Sequence, residues 1–242
     1  MHIPRKTLSR LVPFALGSVL LATTFPLVAQ ATVKNPSLST VISAAQKAML
    51  KQTGVHVVVT SSTGTAKSSV SVDIGTGSGQ ETITSGTSSV SIVVTPKFAY
   101  LSGTKTGLVS IMGLSAAQQK KVGSLWVVMK AGTSPYESFQ SNLTTTVLAH
   151  ILPAAKGTTY ATDGTKAKNY TLTWSTKKTS TTAATKSVLT ISSGKKTLPI
   201  DEVITGSTGA GETVFSKWGE KVTETVPSSS STITYAKVIA VK

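Results

Sequence analysis

From Gly54 onward the chain changes to a period of two, and this limits what it can fold into more than any other feature. Val55, Val57 and Val59 alternate with His56 and Val58. Val70, Val72 and Ile74 alternate with Ser71 and Asp73, and Val90, Ile92 and Val94 share one face of residues 88–95. Successive strand side chains point to opposite faces, so this pattern predicts strands with an apolar face and a more polar one. Residues 82–85 supply a further short strand, and Phe98-Ala99-Tyr100-Leu101 a fifth after Pro96. Gly64, the run Gly75-Thr76-Gly77-Ser78-Gly79 and Gly86 fall between these stretches as hairpin turns. The expectation is an antiparallel meander.

Helical spacing brackets the meander. Leu38, Val41, Ile42, Ala45 and Met49 form one stripe of a helix that Ser37 or Ser39 caps and that runs to about residue 52. After the fifth strand, residues 106–112 and 115–122 read as two short helices, the second with Ser115 as N-cap. Residues 125–129 return to strand. Ser134 caps a longer helix over 135–152, with Pro135 at its first position and Glu137 two residues on. Phe139, Leu143, Val147 and Ile151 share one face of it, with Tyr136 and His150 close by. Strands resume over 158–161, 168–175, 187–192, 198–205, 212–217, 221–226 and 233–239, with residues 206–211 as a hairpin loop and 228–231 as a serine loop. The order predicts an α+β fold with helices laid on one face of an antiparallel sheet. The two strand-rich halves are not sequence repeats.

Residues 1–31 read as a secretory signal peptide. Arg5, Lys6 and Arg10 precede an uncharged apolar run over 11–28, broken by Pro13 and Pro26, and Ala29-Gln30-Ala31 is a small-x-small cleavage signal. Residues 32–37 form a linker and 38–242 the folded domain. Without any cysteine the chain has no disulfide, no thiolate chemistry and no lipid-anchoring residue after the apolar run. The expected location is therefore secreted or in the cell envelope, without a lipid anchor. Of 24 Lys and Arg, three lie before Leu11, which leaves 21 basic groups against 9 acidic ones. No arginine follows Arg10, and arginine is the residue suited to bidentate phosphate and base recognition. Dispersed lysines on Ser/Thr-rich strands predict a solvated surface beside an anionic envelope, not nucleic-acid binding. The doublets Lys120-Lys121, Lys177-Lys178 and Lys195-Lys196 read as loop tips or solvated faces.

Enzyme chemistry finds little support. His56 and His150 are the two histidines beyond the export segment, and they have no metal-ligand spacing. Both read as structural, His56 at an exposed or cavity-edge position. The Gly-Ser-Gly within residues 75–79 lies between strands, so it is neither a nucleophile elbow nor a phosphate loop. Asp201 and Glu202 are adjacent on a strand and point to opposite faces, so they cannot act as a pair. No catalytic residue, metal or cofactor is assigned.

The order of elements resembles the LolA-like superfamily, in particular the actinobacterial envelope proteins of LppX/LprG type. The residues that carry the resemblance begin with Ala45-Gln46-Lys47 leading into Val59, then Ala99-Tyr100-Leu101-Ser102-Gly103. Gly113-Leu114-Ser115-Ala116-Ala117-Gln118 and Gly123-Ser124-Leu125-Trp126-Val127 follow. Leu198-Pro199, Val214-Phe215-Ser216-Lys217-Trp218-Gly219 and residues 222–227 complete them. The resemblance implies a strongly curved antiparallel β half-barrel with helices covering its concave face. It also implies an apolar cavity between sheet and helices, holding a lipid or other apolar ligand. This chain departs from the pattern in lacking the anchoring cysteine.

Candidates for the cavity lining are Val57, Val59, Val72, Val90, Ile92, Tyr100, Leu108, Met112, Trp126, Phe139, Leu143, Val147, Leu172 and Trp174. The same residues would equally serve as a solid core. Lys97, Lys105 and Lys130 are candidates for an anionic headgroup at the mouth. Trp218 reads as a rim or turn-packing aromatic. Two other readings stay open for what is expected to be a monomer: an envelope interaction or sensing module with a filled core, and a basic binder of wall polymers.

Overall fold

The structure, a computed structural model, describes residues 36–162, 169–179, 183–194 and 196–241. The expected export segment 1–31, residues 32–35 of the expected linker, Asp163, Lys168 and Lys195 lie outside the described residues, as does the side chain of His150.

Helix α1 (Leu38–Met49) is capped by the Ser37 hydroxyl, which accepts from the Thr40 N–H, and buries Val41, Ala45 and Met49. The expected meander follows as β1 (Gly54–Thr63), β2 (Ala66–Gly75), β3 (Gly79–Ser85), β4 (Ser88–Val94) and β5 (Phe98–Gly103). Its turns fall at the predicted glycines; Gly64 and Gly86 have φ of 58° and 56°, a left-handed conformation that glycine adopts without steric penalty. Helices α2 (Lys105–Met112) and α3 (Ala116–Val122) lead to β6 (Trp126–Lys130). The Ser115 cap is a full capping box, with Gln118 returning a side-chain acceptor to the Ser115 N–H.

Strands β7 (Thr159–Thr162), β8 (Asn169–Thr176), β9 (Thr185–Ser192), β10 (Pro199–Gly206) and β11 (Gly209–Ser216) form a second meander, and β12 (Thr232–Thr234) closes the set. The twelve strands make one curved open sheet in the order β12-β6-β5-β4-β3-β2-β1-β11-β10-β9-β8-β7, not closed into a barrel. All neighbours are antiparallel except β12 and β6. The two meanders meet where β11 lies against β1, with Phe215 opposite Val57 and Thr213 opposite Val59. Helices and the inward strand residues share one core that includes Val41, Met49, Val57, Ile92, Leu108, Leu172, Leu189 and Phe215. The fold is thus the expected α+β arrangement of a curved antiparallel sheet and helices.

Four local expectations are corrected. The helix over 135–152 stops early: α4 (Ser134–Gln140) is followed by a crossing segment and a 3-10 turn, Thr145–His150. Asn142 and the β-branched run Thr144-Thr145-Thr146 are poor helix formers. Thr144 instead forms a parallel bridge with Gly75. The crossing is possible because Gly79 has no side chain; a Cβ there would lie 2.5 Å from the Leu143 carbonyl oxygen. The cap also shifts by one residue: Thr133 is the N-cap, and Glu137 accepts from the Gly132 N–H at 3.1 Å. Residues 221–226 join no ladder, because both edges of β1 are already paired with β2 and β11. Val222 packs over Gly54 and Gly75 instead. Finally, residues 233–239 split into the short β12 and helix α5 (Tyr235–Ile239), which buries Val238 at helical spacing from Tyr235.

Candidate functional site

Strand register sorts the inward residues into rows across the sheet. One row runs Phe215, Val57, Val72, Glu81, Ile92, Leu101 and Val127. Apart from Glu81 every member is buried. The next row, two residues along, runs Glu202, Thr213, Val59, Val70, Ile83 and Val90. Here Val90 is buried, whereas Val59, Val70 and Ile83 are only half-buried. Two residues further, Ser61, Ser68, Ser85 and Ser88 face one another, with the Ser61 and Ser68 hydroxyls 2.6 Å apart. The concave face therefore grades from packed core, through a partly covered apolar band, to a serine rim at the hairpin ends.

Helix α2 stands over the β4 end of this band, at Val90 and Ile83. Gly107 brings it close: a Cβ there would lie 2.6 Å from both the Ser89 oxygen and the Val90 Cγ2. Between α2 and the β3–β4 hairpin a cavity of about 20 Å³ remains, lined by Ile83, Ser85, Ser88, Val90, Gly107 and Ile111 among others. That volume holds about one water.

The expected lining residues separate into three groups. Val57, Val72, Val90, Ile92, Leu108, Phe139, Leu143 and Leu172 are buried in the common core. Val59, Met112, Val147 and Trp174 are half-buried against it. Tyr100 and Trp126 face the other way. On β5 the inward positions are Ala99 and Leu101, and on β6 they are Val127 and Met129, so strand alternation puts Tyr100 and Trp126 on the convex face. Tyr100 lies opposite Val93 and Val128 there. Of the candidate mouth lysines, Lys105 opens α2 at the end where the cavity lies, while Lys97 and Lys130 are together at the opposite end of the strands. Trp218 packs in its turn: its Nε1 donates to the Pro199 carbonyl at 2.9 Å and its ring stacks on Phe215.

Inward-facing carboxylates were not among the expected lining. Glu81 lies two residues before Ile83 and so in phase with the apolar face, the one signal in the sequence that marks it. Burial pushes its carboxyl up to about 7. Glu202 is also raised by burial, with a Ser187 hydroxyl bond opposing the shift. Tyr160 faces inward on β7, opposite Leu172; its hydroxyl is buried without a partner among the described residues.

The convex face carries a polar row of its own. His56 Nδ1 lies 2.6 Å from Asp73 Oδ1, and Gln80 Nε2 donates to Asp73 Oδ2 at 2.8 Å. Burial raises the Asp73 carboxyl, but the Gln80 and His56 hydrogen bonds and the nearby His56 and Lys217 charges outweigh it, so the net shift is downward. Ser216 lies opposite His56, yet its hydroxyl donates to the His56 carbonyl at 3.4 Å instead of meeting the imidazole. Among the described residues no three His, Cys, Asp or Glu side chains group to hold a metal, and no helix is long and apolar enough to cross a membrane.

In comparisons with known proteins, no family model matches the chain and no curated protein matches it. Among solved structures it is similar to the Mycobacterium tuberculosis lipoprotein LppX, at 14% identity and a TM-score of 0.46, covering 77% of this chain and 99% of that one. It is also similar to LprF from Mycobacterium bovis, at 16% identity and a TM-score of 0.45, covering 78% of this chain and 97% of that one.

Proposed function

We infer that the protein works in the cell envelope or outside the cell and holds a lipid or other apolar ligand between its curved sheet and its helices, as a carrier or scavenger without a membrane tether. The observation that carries this reading is the half-covered band of Val59, Val70 and Ile83. These residues share one row of the concave face below a serine rim, and Ile83 lines the residual cavity beside α2. An apolar surface that the protein's own helices leave incompletely covered favours an apolar occupant, at about 0.8 kcal/mol per buried methylene. The resemblance in sequence and the export signal at residues 1–31 agree with it.

Native mass spectrometry and solvent extraction of the purified protein test this. The expected result is a co-purifying apolar molecule, or saturable uptake of an apolar fluorophore that Ile83→Asp weakens. A protein that carries nothing and takes up no fluorophore has a solid core, and the reading then fails.

A further inference from the structure

Glu81 is out of keeping with its surroundings. Its cross-strand neighbours Val72 and Ile92 are 8% and 2% exposed, and Val57 one strand further is 4% exposed. Strand β3 is paired on both edges and Glu81 lies inside it, so this half-buried side chain meets solvent from the concave side. Among the described residues its carboxyl has no hydrogen-bond or ion-pair partner. Glu202 on the same face differs, because the Ser187 hydroxyl bonds it. Ile83, the next inward residue along β3, lines the cavity beside α2. A carboxylate in an apolar wall without a donor is unfavourable, and a donor arriving with a ligand removes that penalty.

We propose that Glu81 is the polar contact of the ligand site, and that it selects an apolar chain bearing a hydroxyl or amine over one bearing a carboxylate. The proposal rests on the lipid-binding reading above. A hydroxyl or ammonium donates to the Glu81 carboxylate, whereas a ligand carboxylate would place two like charges together in a wall that screens them poorly. Three matched probes separate these cases: dodecylamine, dodecanol and dodecanoate, each competing with a bound apolar fluorophore at about pH 8.5. The wild-type protein is expected to release the fluorophore to the amine and the alcohol at concentrations at least about tenfold below those needed with dodecanoate. In Glu81→Gln and Glu81→Leu that ratio falls by at least about fivefold, with circular dichroism showing both variants folded. Equal competition by the three probes on wild type, or a ratio unchanged in both variants, overturns the assignment of Glu81 alone. Failure of wild type to bind the fluorophore or any probe overturns the lipid-binding reading with it.

Discussion

Glutamine at position 81 keeps the shape of the side chain and removes its charge, which makes Glu81→Gln a direct measure of what the buried carboxyl does to folding. The unfolded chain titrates near the ordinary 4.5, and the folded protein near 7. Between those values the folded state holds a proton that the unfolded state has released. Wild-type stability therefore falls as pH rises through this window, and the penalty is complete above about 7. The full shift is equivalent to about 3 kcal/mol. Water reaching the half-buried side chain from the concave side reduces this to about 2 kcal/mol. The variant should thus match wild type near pH 4.5 and exceed it by about 2 kcal/mol near pH 8.5, or roughly 4–8 °C in Tm for a domain of this size. Urea unfolding of both proteins at intervals across that range reads the difference directly. A difference that does not change with pH, or a wild type that is the more stable protein at pH 8.5, would refute the placement of Glu81 in the apolar wall.

Gly79→Ala should destabilise by about 1–3 kcal/mol in urea unfolding, since the new Cβ meets the Leu143 and Asp73 carbonyls. Leu189→Ala, at a fully buried position, should lose about 2–5 kcal/mol in the same assay. Trp126→Ala on the convex face should leave fluorophore uptake within about twofold of wild type; a larger loss would place the binding surface elsewhere. Asp73→Asn should cost about 1 kcal/mol at neutral pH, because it disturbs the His56 and Gln80 hydrogen bonds. The Asp73 carboxyl is lowered in the folded state, so its contribution is present above about pH 4 and disappears as pH falls through its folded value. The two proteins should therefore converge in acid.

The first meander was legible because its turns need glycine and its alternation is strict over three strands. The short helices were legible because Ser115 and Gln118 occupy the two ends of a capping box. The break after Gln140 was not. Phe139, Leu143 and Val147 are all drawn into the core, so their spacing looks helical although the backbone between them is not. Parity failed at Tyr100 and Trp126 for a related reason. Phe98, Ala99, Tyr100 and Leu101 are all apolar, so alternation does not say which pair faces in, and burial of Ala99 and Leu101 decides it. The tail over 221–226 has a strand-like pattern, but a strand needs an unpaired edge, which is a property of the finished sheet. Glu81 was hidden by a strand boundary placed at residue 82, three residues after β3 begins.

The seam between β11 and β1 has a consequence for how the molecule forms. Strands β1 to β6 and β7 to β11 each pair in chain order, so either meander can assemble from contacts near in sequence. The seam joins residues about 160 positions apart, as at His56 and Ser216, and must wait for a large loop to close. Until it closes, Val57 and Val59 present an unpaired edge, and the row linking Glu202 to Ile83 has a gap at its middle. In the finished sheet the segment after β11 braces the start of β1, with the Gly219 N–H on the Gly54 carbonyl and Val222 over Gly54.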